Sequence, residues 1–133
     1  RRETLHTYSR QIGLDVIDPD GYALEGFIRK VAFHEDQRCR ICYRERLAAA
    51  AAVARQGNFD RFSTTLLYSR YQQHEVIREM GESIGRTAGV PFHYQDFRPG
   101  WQQGVAESRS LGMYRQKYCG CIYSEKERFF KAG

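Results

Sequence analysis

The sequence has no apolar run approaching the ~20 residues that cross a bilayer, and no charged start leading into an apolar centre of the signal-peptide kind. Both absences predict a soluble, cytosolic chain that stays off the membrane. There is no internal repeat, and no low-complexity stretch beyond one alanine run. Metal-ligand spacing is missing among His6, His34, His74 and His93, so all four read as structural or surface residues. Acidic charge is also short: 16 Asp and Glu face 21 Lys and Arg, which leaves a net charge of +5 and a pI near 9.2. Basic surface attracts phosphate through counterion release, so a polyanionic partner is expected, although solvated surface charge gives the same balance.

At 133 residues the chain has the length of one ordinary domain, read as a single unit over 1–133. It opens on Arg1-Arg2, without methionine and inside a helical pattern. The expectation is a natural start further upstream, with an N-terminal strand ahead of Arg1.

Glu3 to Ile12 reads as the end of an amphipathic helix, with Leu5, Tyr8 and Ile12 on one face and Gly13 as its stop. Leu14-Asp15-Val16-Ile17 reads as a short strand, and Asp18-Pro19-Asp20-Gly21 as a turn. A second helix is expected over Tyr22 to Val31 with Leu24, Phe27, Ile28 and Val31 inward, then a loop from Ala32 to Arg38. From Arg40 the strong helix formers run through the alanines to Gly57. Arg61 to Leu67 has the content of a strand, Tyr71 to Ala88 returns to helical spacing, and Val90 to Tyr94 reads as a further strand with Pro91 at its start or edge. Gln102 to Leu111 is a short helix. Alternating strands and helices predict an α/β fold: a layered parallel sheet with helical crossovers, Rossmann-like or HUP-like. Ligands bind such sheets at the carboxyl ends of the strands, where Tyr68-Ser69-Arg70 and Gln95-Asp96-Phe97-Arg98 are expected.

The four cysteines form two close pairs. Cys119-Gly120-Cys121 can close only a small, tight ring, and Gly120 supplies the backbone freedom that closure needs. A disulfide made that way is strained and easily reduced, which suits electron transfer. Arg115, Lys117 and Lys126 flank the pair, and cations favour the thiolate that exchanges with disulfides and binds metals. The plainer alternative is two buried thiols acting as small hydrophobes. Cys39-Arg40-Ile41-Cys42 opens the alanine-rich helix, where unpaired N–H groups and the helix dipole favour anions. Its spacing is shared by zinc, iron–sulfur and thioredoxin-like sites. One closed zinc site of all four thiolates is chemically reasonable, although Cys42 and Cys119 stand much further apart than the ~15–20 residues of a compact zinc ribbon.

Four blocks in order carry a specific resemblance: Arg38 to Leu47 with its two cysteines, Phe62-Ser63-Thr64-Thr65-Leu66-Leu67-Tyr68-Ser69, Gln95-Asp96-Phe97-Arg98, and Tyr114 to Ser124 around the second cysteine pair. Together they resemble the QueH family of epoxyqueuosine reductases. The resemblance implies a non-cobalamin iron–sulfur enzyme acting on epoxyqueuosine at the wobble position of tRNA, in the last step of queuosine biosynthesis. It implies Cys39 and Cys42 as two ligands of a [4Fe–4S] cluster, with an additional iron conceivable, and Cys119 with Cys121 as a redox-active disulfide. Members of the family carry a vicinal cysteine pair near their N-terminus, and the remaining ligands are expected from such a pair upstream of Arg1.

Converting an epoxide to an alkene takes two electrons and two protons and releases water. A cluster passes electrons singly, so a dithiol that holds two is a sensible store, refilled by a donor that the sequence does not name. Asp96 is the candidate acid for the epoxide oxygen, or a group supporting the acid, or half of an Asp96–Arg98 surface pair. Tyr118 and Tyr123 are further donors. For tRNA, Arg70, Arg98, Arg115 and Lys117 are the phosphate contacts, and Tyr68 or Trp101 the surface on which a base stacks. The competing reading is a non-catalytic nucleic-acid-binding domain whose cysteines hold zinc. On the first reading, the four thiols meet at one rim of the sheet.

Overall fold

The described residues form six α-helices: α1 (Arg2–Ile12), α2 (Leu24–Val31), α3 (Arg38–Gln56), α4 (His74–Ala88), α5 (Trp101–Ser110) and α6 (Ile122–Phe129). The structure is a computed structural model and describes residues 1–19, 21 and 23–130. The turn expected at Asp18-Pro19-Asp20-Gly21 and the helix start at Tyr22 lie partly outside the described residues, at Asp20 and Tyr22. Two compact units divide the chain, Arg1–Asp20 with Gln102–Gly133 and Gly21–Trp101.

The second unit is built on α3. Its alanine run has the highest helix propensity of any residue type, and its turns bury Tyr43, Leu47, Ala51 and Ala54 on one stripe. Against that stripe α4 turns Ile77, Met80, Gly81 and Gly85. Leu67, Phe62 and Val90 complete the core. Removing a side chain such as Leu47 or Ile77 from water contributes about 1.5–3 kcal/mol. The Tyr43 hydroxyl stays satisfied inside this core: it donates to Gln72 Oε1 at 2.7 Å and accepts the Gln73 N–H at 3.1 Å, just ahead of α4.

The layered parallel sheet expected from the sequence is absent among the described residues, and the fold is helical. Of the predicted strands, Leu14 to Ile17 is irregular and exposed. The other two meet at a single parallel bridge, Phe62 to Phe92, through Phe62 N–H to Pro91 O at 3.1 Å and His93 N–H to Phe62 O at 2.8 Å. A strand exists only through pairing, and here pairing stops at once. Pro91 has no N–H to give. After Phe62 the chain turns aside, because the Thr64 hydroxyl accepts the Leu66 N–H at 3.2 Å and caps a 3-10 turn at Thr65–Tyr68. Val31 is fully buried as expected, whereas Leu24 and Ile28 stay over a third exposed.

In the first unit, α1 ends at Gly13 in the left-handed conformation, as the sequence suggests. Its apolar face is not covered: Leu5 and Ile12 are about half exposed, and Ser9 is the buried residue. α6 was not foreseen in the sequence pattern. Cys121 caps its N-terminus with extended backbone, and its carbonyl accepts the Glu125 N–H at 2.9 Å. Among the described residues no helix is long and apolar enough to cross a membrane.

Candidate functional site

Two segments expected to lie together do so, without a sheet to hold them. The 3-10 turn at Thr65–Tyr68 packs against a second one at Arg98–Gly100. Tyr68 stacks on Phe97 with ring centroids 5.8 Å apart and planes 11° from parallel. Its hydroxyl rests over Gly100, where a β-carbon would sit 3.0 Å away, so a larger residue there obliges the hydroxyl to shift slightly. Both segments follow directly on the Phe62–Phe92 bridge, and α4 is the crossover between them.

Arg70 extends this surface. Its Cζ lies 5.1 Å from the ring centroids of both Tyr71 and Trp101, and Nη2 donates to the Tyr71 hydroxyl at 3.0 Å. Tyr71 is 77% exposed and Tyr68 40%, so the group presents π faces and a guanidinium to solvent.

Asp96 and Arg98 form an exposed ion pair, one of the roles that their sequence spacing allows. The guanidinium donates to the carboxylate twice, at 2.8 and 2.7 Å, and the Arg98 N–H donates a third bond at 3.0 Å. These bonds hold the Asp96 pKa at about 2. A carboxylate that is ionised throughout the physiological range has no proton to give, and in this arrangement Asp96 orients Arg98.

His74, read from its spacing as structural or surface, braces this turn. It is buried, and Nε2 lies 2.8 Å from the Ser69 carbonyl oxygen. A carbonyl only accepts, so Nε2 donates in this bond, and Nδ1 is buried without a partner among the described residues. The bond pins the backbone between Tyr68 and Arg70. A lone histidine opening a helix gives no sequence signal for this.

The thiol pairs lie in different units. Cys39 and Cys42 occupy the first turns of α3, three residues apart and therefore on neighbouring faces, and both are half-buried. Cys119 is exposed and Cys121 half-buried, with no disulfide between them. Gly120 between them has φ +102, the left-handed region that its lack of a β-carbon permits. The Cys119 N–H donates to Ser124 Oγ and Arg1 Nη1 donates to the Cys119 carbonyl, each at 3.4 Å. Gln116 Nε2 donates to the Tyr118 carbonyl at 2.9 Å. Burial, and then the Glu125 carboxylate, push the Tyr118 phenol up, so it keeps its proton and can donate. Arg115 and Lys117 are exposed on the same loop.

Cys39 and Cys42 fit two corners of an iron–sulfur cluster: soft donors one helical turn apart, half shielded from water. Four donors complete such a site, and among the described residues no three His, Cys, Asp or Glu side chains gather as a metal-binding group.

A family profile described as "Epoxyqueuosine reductase QueH" matches residues 1–127. The epoxyqueuosine reductase QueH of Dehalococcoides mccartyi is 35% identical over 131 residues, covering 98% of this chain and 72% of the relative. That of Thermotoga maritima is 42% identical over 94 residues, covering 69% of this chain and 49% of the relative. That of Streptococcus pyogenes is 29% identical over 112 residues, covering 79% of this chain and 44% of the relative. The chain thus spans less than half the length of two of these relatives. With one profile running through nearly its whole length and a 35% identical relative along 98% of it, the chain belongs to the QueH epoxyqueuosine reductase family.

Proposed function

We propose that this chain is part of an enzyme that reduces epoxyqueuosine to queuosine in tRNA, with Cys119 and Cys121 as its two-electron store and Cys39 and Cys42 as cluster ligands. Family membership supports the reaction class. The observation that carries the assignment of roles is the contrast between the pairs: one lies half-buried on a helix, the other on an exposed loop with a left-handed glycine at its centre.

The dithiol balances the reaction by itself. Two thiols give two electrons and two protons, the epoxide carbon–oxygen bonds break, an alkene and water form, and the sulfurs join as a disulfide. An external reductant then restores the thiols. When bound, a [4Fe–4S] cluster would supply one-electron transfer. Tyr118, kept protonated by its surroundings, is a proton donor on the dithiol loop. Arg70, Tyr68, Arg98 and Trp101 offer stacking faces and phosphate contacts for an anticodon strand, and Arg115 and Lys117 add charge beside the dithiol.

Anaerobic purification of the full-length protein with iron, sulfide and zinc analysis tests this reading. Iron and sulfide bound in the parent, lost in Cys39→Ser and Cys42→Ser and retained in Cys119→Ser and Cys121→Ser with turnover abolished, is the expected result. Stoichiometric zinc without iron would overturn it, and cluster loss in the Cys119 or Cys121 variants would overturn the redox role.

A further inference from the structure

The groove between α3 and α4 takes no part in the chemistry above. It holds about 690 Å³, with Ala51 and Met80 in its floor. Along α3 it is edged by Arg40, Arg44 and Arg55, and Glu79 is the acidic residue that lines it. Helical rise puts Arg40 and Arg44 about 6 Å apart along the axis and Arg55 about 22 Å from Arg40. On the helical wheel the three fall within roughly 60° of one another, so they form one rail. Arg55 braces the far end, where Nη1 donates to the Ala88 carbonyl at 3.2 Å. Arg40 and Arg44 are exposed and make no hydrogen bond or ion pair among the described residues.

Guanidinium groups in a row above an apolar floor match one ligand chemistry well. The fork of donors fits phosphate oxygens two at a time, and a low-dielectric wall strengthens the field at the rail. The rail outnumbers Glu79 three to one, which favours a polyanion. Its length of about 22 Å favours a backbone that repeats its charge over one terminal phosphate or carboxylate. We propose that the α3–α4 groove is a track for an RNA strand, with Arg40 and Arg44 as phosphate contacts. The choice of RNA rests on the function proposed above. The Arg40 end of the track opens at the first turn of α3.

The test is fluorescence anisotropy of a labelled anticodon stem-loop RNA on the full-length holoprotein across a salt series. Each lost phosphate contact removes about 0.7–0.9 from the slope of log affinity against log salt. Arg40→Gln with Arg44→Gln is expected to flatten the slope by about 1.5 and to weaken binding about tenfold at moderate salt. Arg40→Lys with Arg44→Lys keeps the charges and is expected to restore the slope, and Glu79→Gln to tighten binding. Thermal midpoint and iron content should stay at the parent value in all three. A parental slope in the double glutamine variant overturns the track. So does altered self-association of that variant in sedimentation velocity with RNA binding unchanged, which would make the face a contact between copies. The two proposals fail separately: turnover with an arginine-independent slope removes the track alone, and an arginine-dependent slope without epoxide reduction removes the activity alone.

Discussion

Gly85 lies so close to the chain at Val90 that a β-carbon built on it would stand 2.6 Å from the Val90 carbonyl oxygen. Backbone cannot swing aside as a side chain can. Alanine gains about 1 kcal/mol in helix propensity over glycine, but overpacking costs about 1–3 kcal/mol and here meets an immovable atom. With the cost at the upper end of that range and the gain subtracted, Gly85→Ala is expected to destabilise the protein by about 1–2 kcal/mol. Denaturant unfolding checks this, and a stability equal to or above the parent would refute the close approach.

Tyr43→Phe keeps the ring in the core but removes the oxygen that accepts the Gln73 N–H and donates to Gln72. Leaving such groups unsatisfied costs about 1–3 kcal/mol. The midpoint should fall while far-ultraviolet circular dichroism stays the same. Loss of helix content would mean that the hydroxyl does more than close α4.

Phe33 holds φ +63 with its side chain 95% exposed. The left-handed conformation costs a non-glycine residue about 1–2 kcal/mol, and no packing is lost when an exposed ring is removed. Part of that gain returns to the unfolded chain, which glycine loosens. Phe33→Gly should raise stability by about 0.5–1 kcal/mol, read as an upward shift in thermal midpoint. A fall would show that the ring is covered.

The Asp96 carboxyl should titrate near 2, below its ordinary 3.8, because of its hydrogen bonds to Arg98. Since the folded pKa lies below the unfolded one, the stabilisation by this pair is complete above about pH 4 and disappears as pH falls through about 2. Carbon-detected NMR of the carboxyl follows this directly. In Arg98→Gln the midpoint should return toward 3.8, and a midpoint already there in the parent would dissolve the pair.

Trp101 is the sole tryptophan, and it lies beside Arg70, so its fluorescence reports on that surface alone. Adding anticodon stem-loop RNA should change its emission, and Arg70→Ala should weaken binding by about 1 kcal/mol with a smaller change. Emission indifferent to RNA would remove this surface from the binding reading.

Helices were legible where the residues insist on them. The alanines of α3 and the left-handed glycine that ends α4 at Gly89 need no partner to act. Strands were misread because the β-branched and aromatic content around Phe62 and Phe92 records a suitability for pairing, whereas the bridge is limited by Pro91 and by the cap at Thr64. α6 gives little signal in the sequence because it is only 8 residues long and its helix-favouring run, Glu125-Lys126-Glu127-Arg128, is a single turn. In the site, the Gly120 conformation followed from residue type. The burial of His74 did not, since it depends on how the chain at Ser69 folds back over α4.

Fixing Arg70 between two rings also has an entropic side. A long cationic side chain on an open surface samples many rotamers, and a ligand must halt that motion when it binds. Here the Tyr71 hydroxyl and the Trp101 ring have halted it beforehand. A flat, π-bearing guest that settles on this corner therefore meets a surface already set in shape, and more of its contact energy survives as affinity.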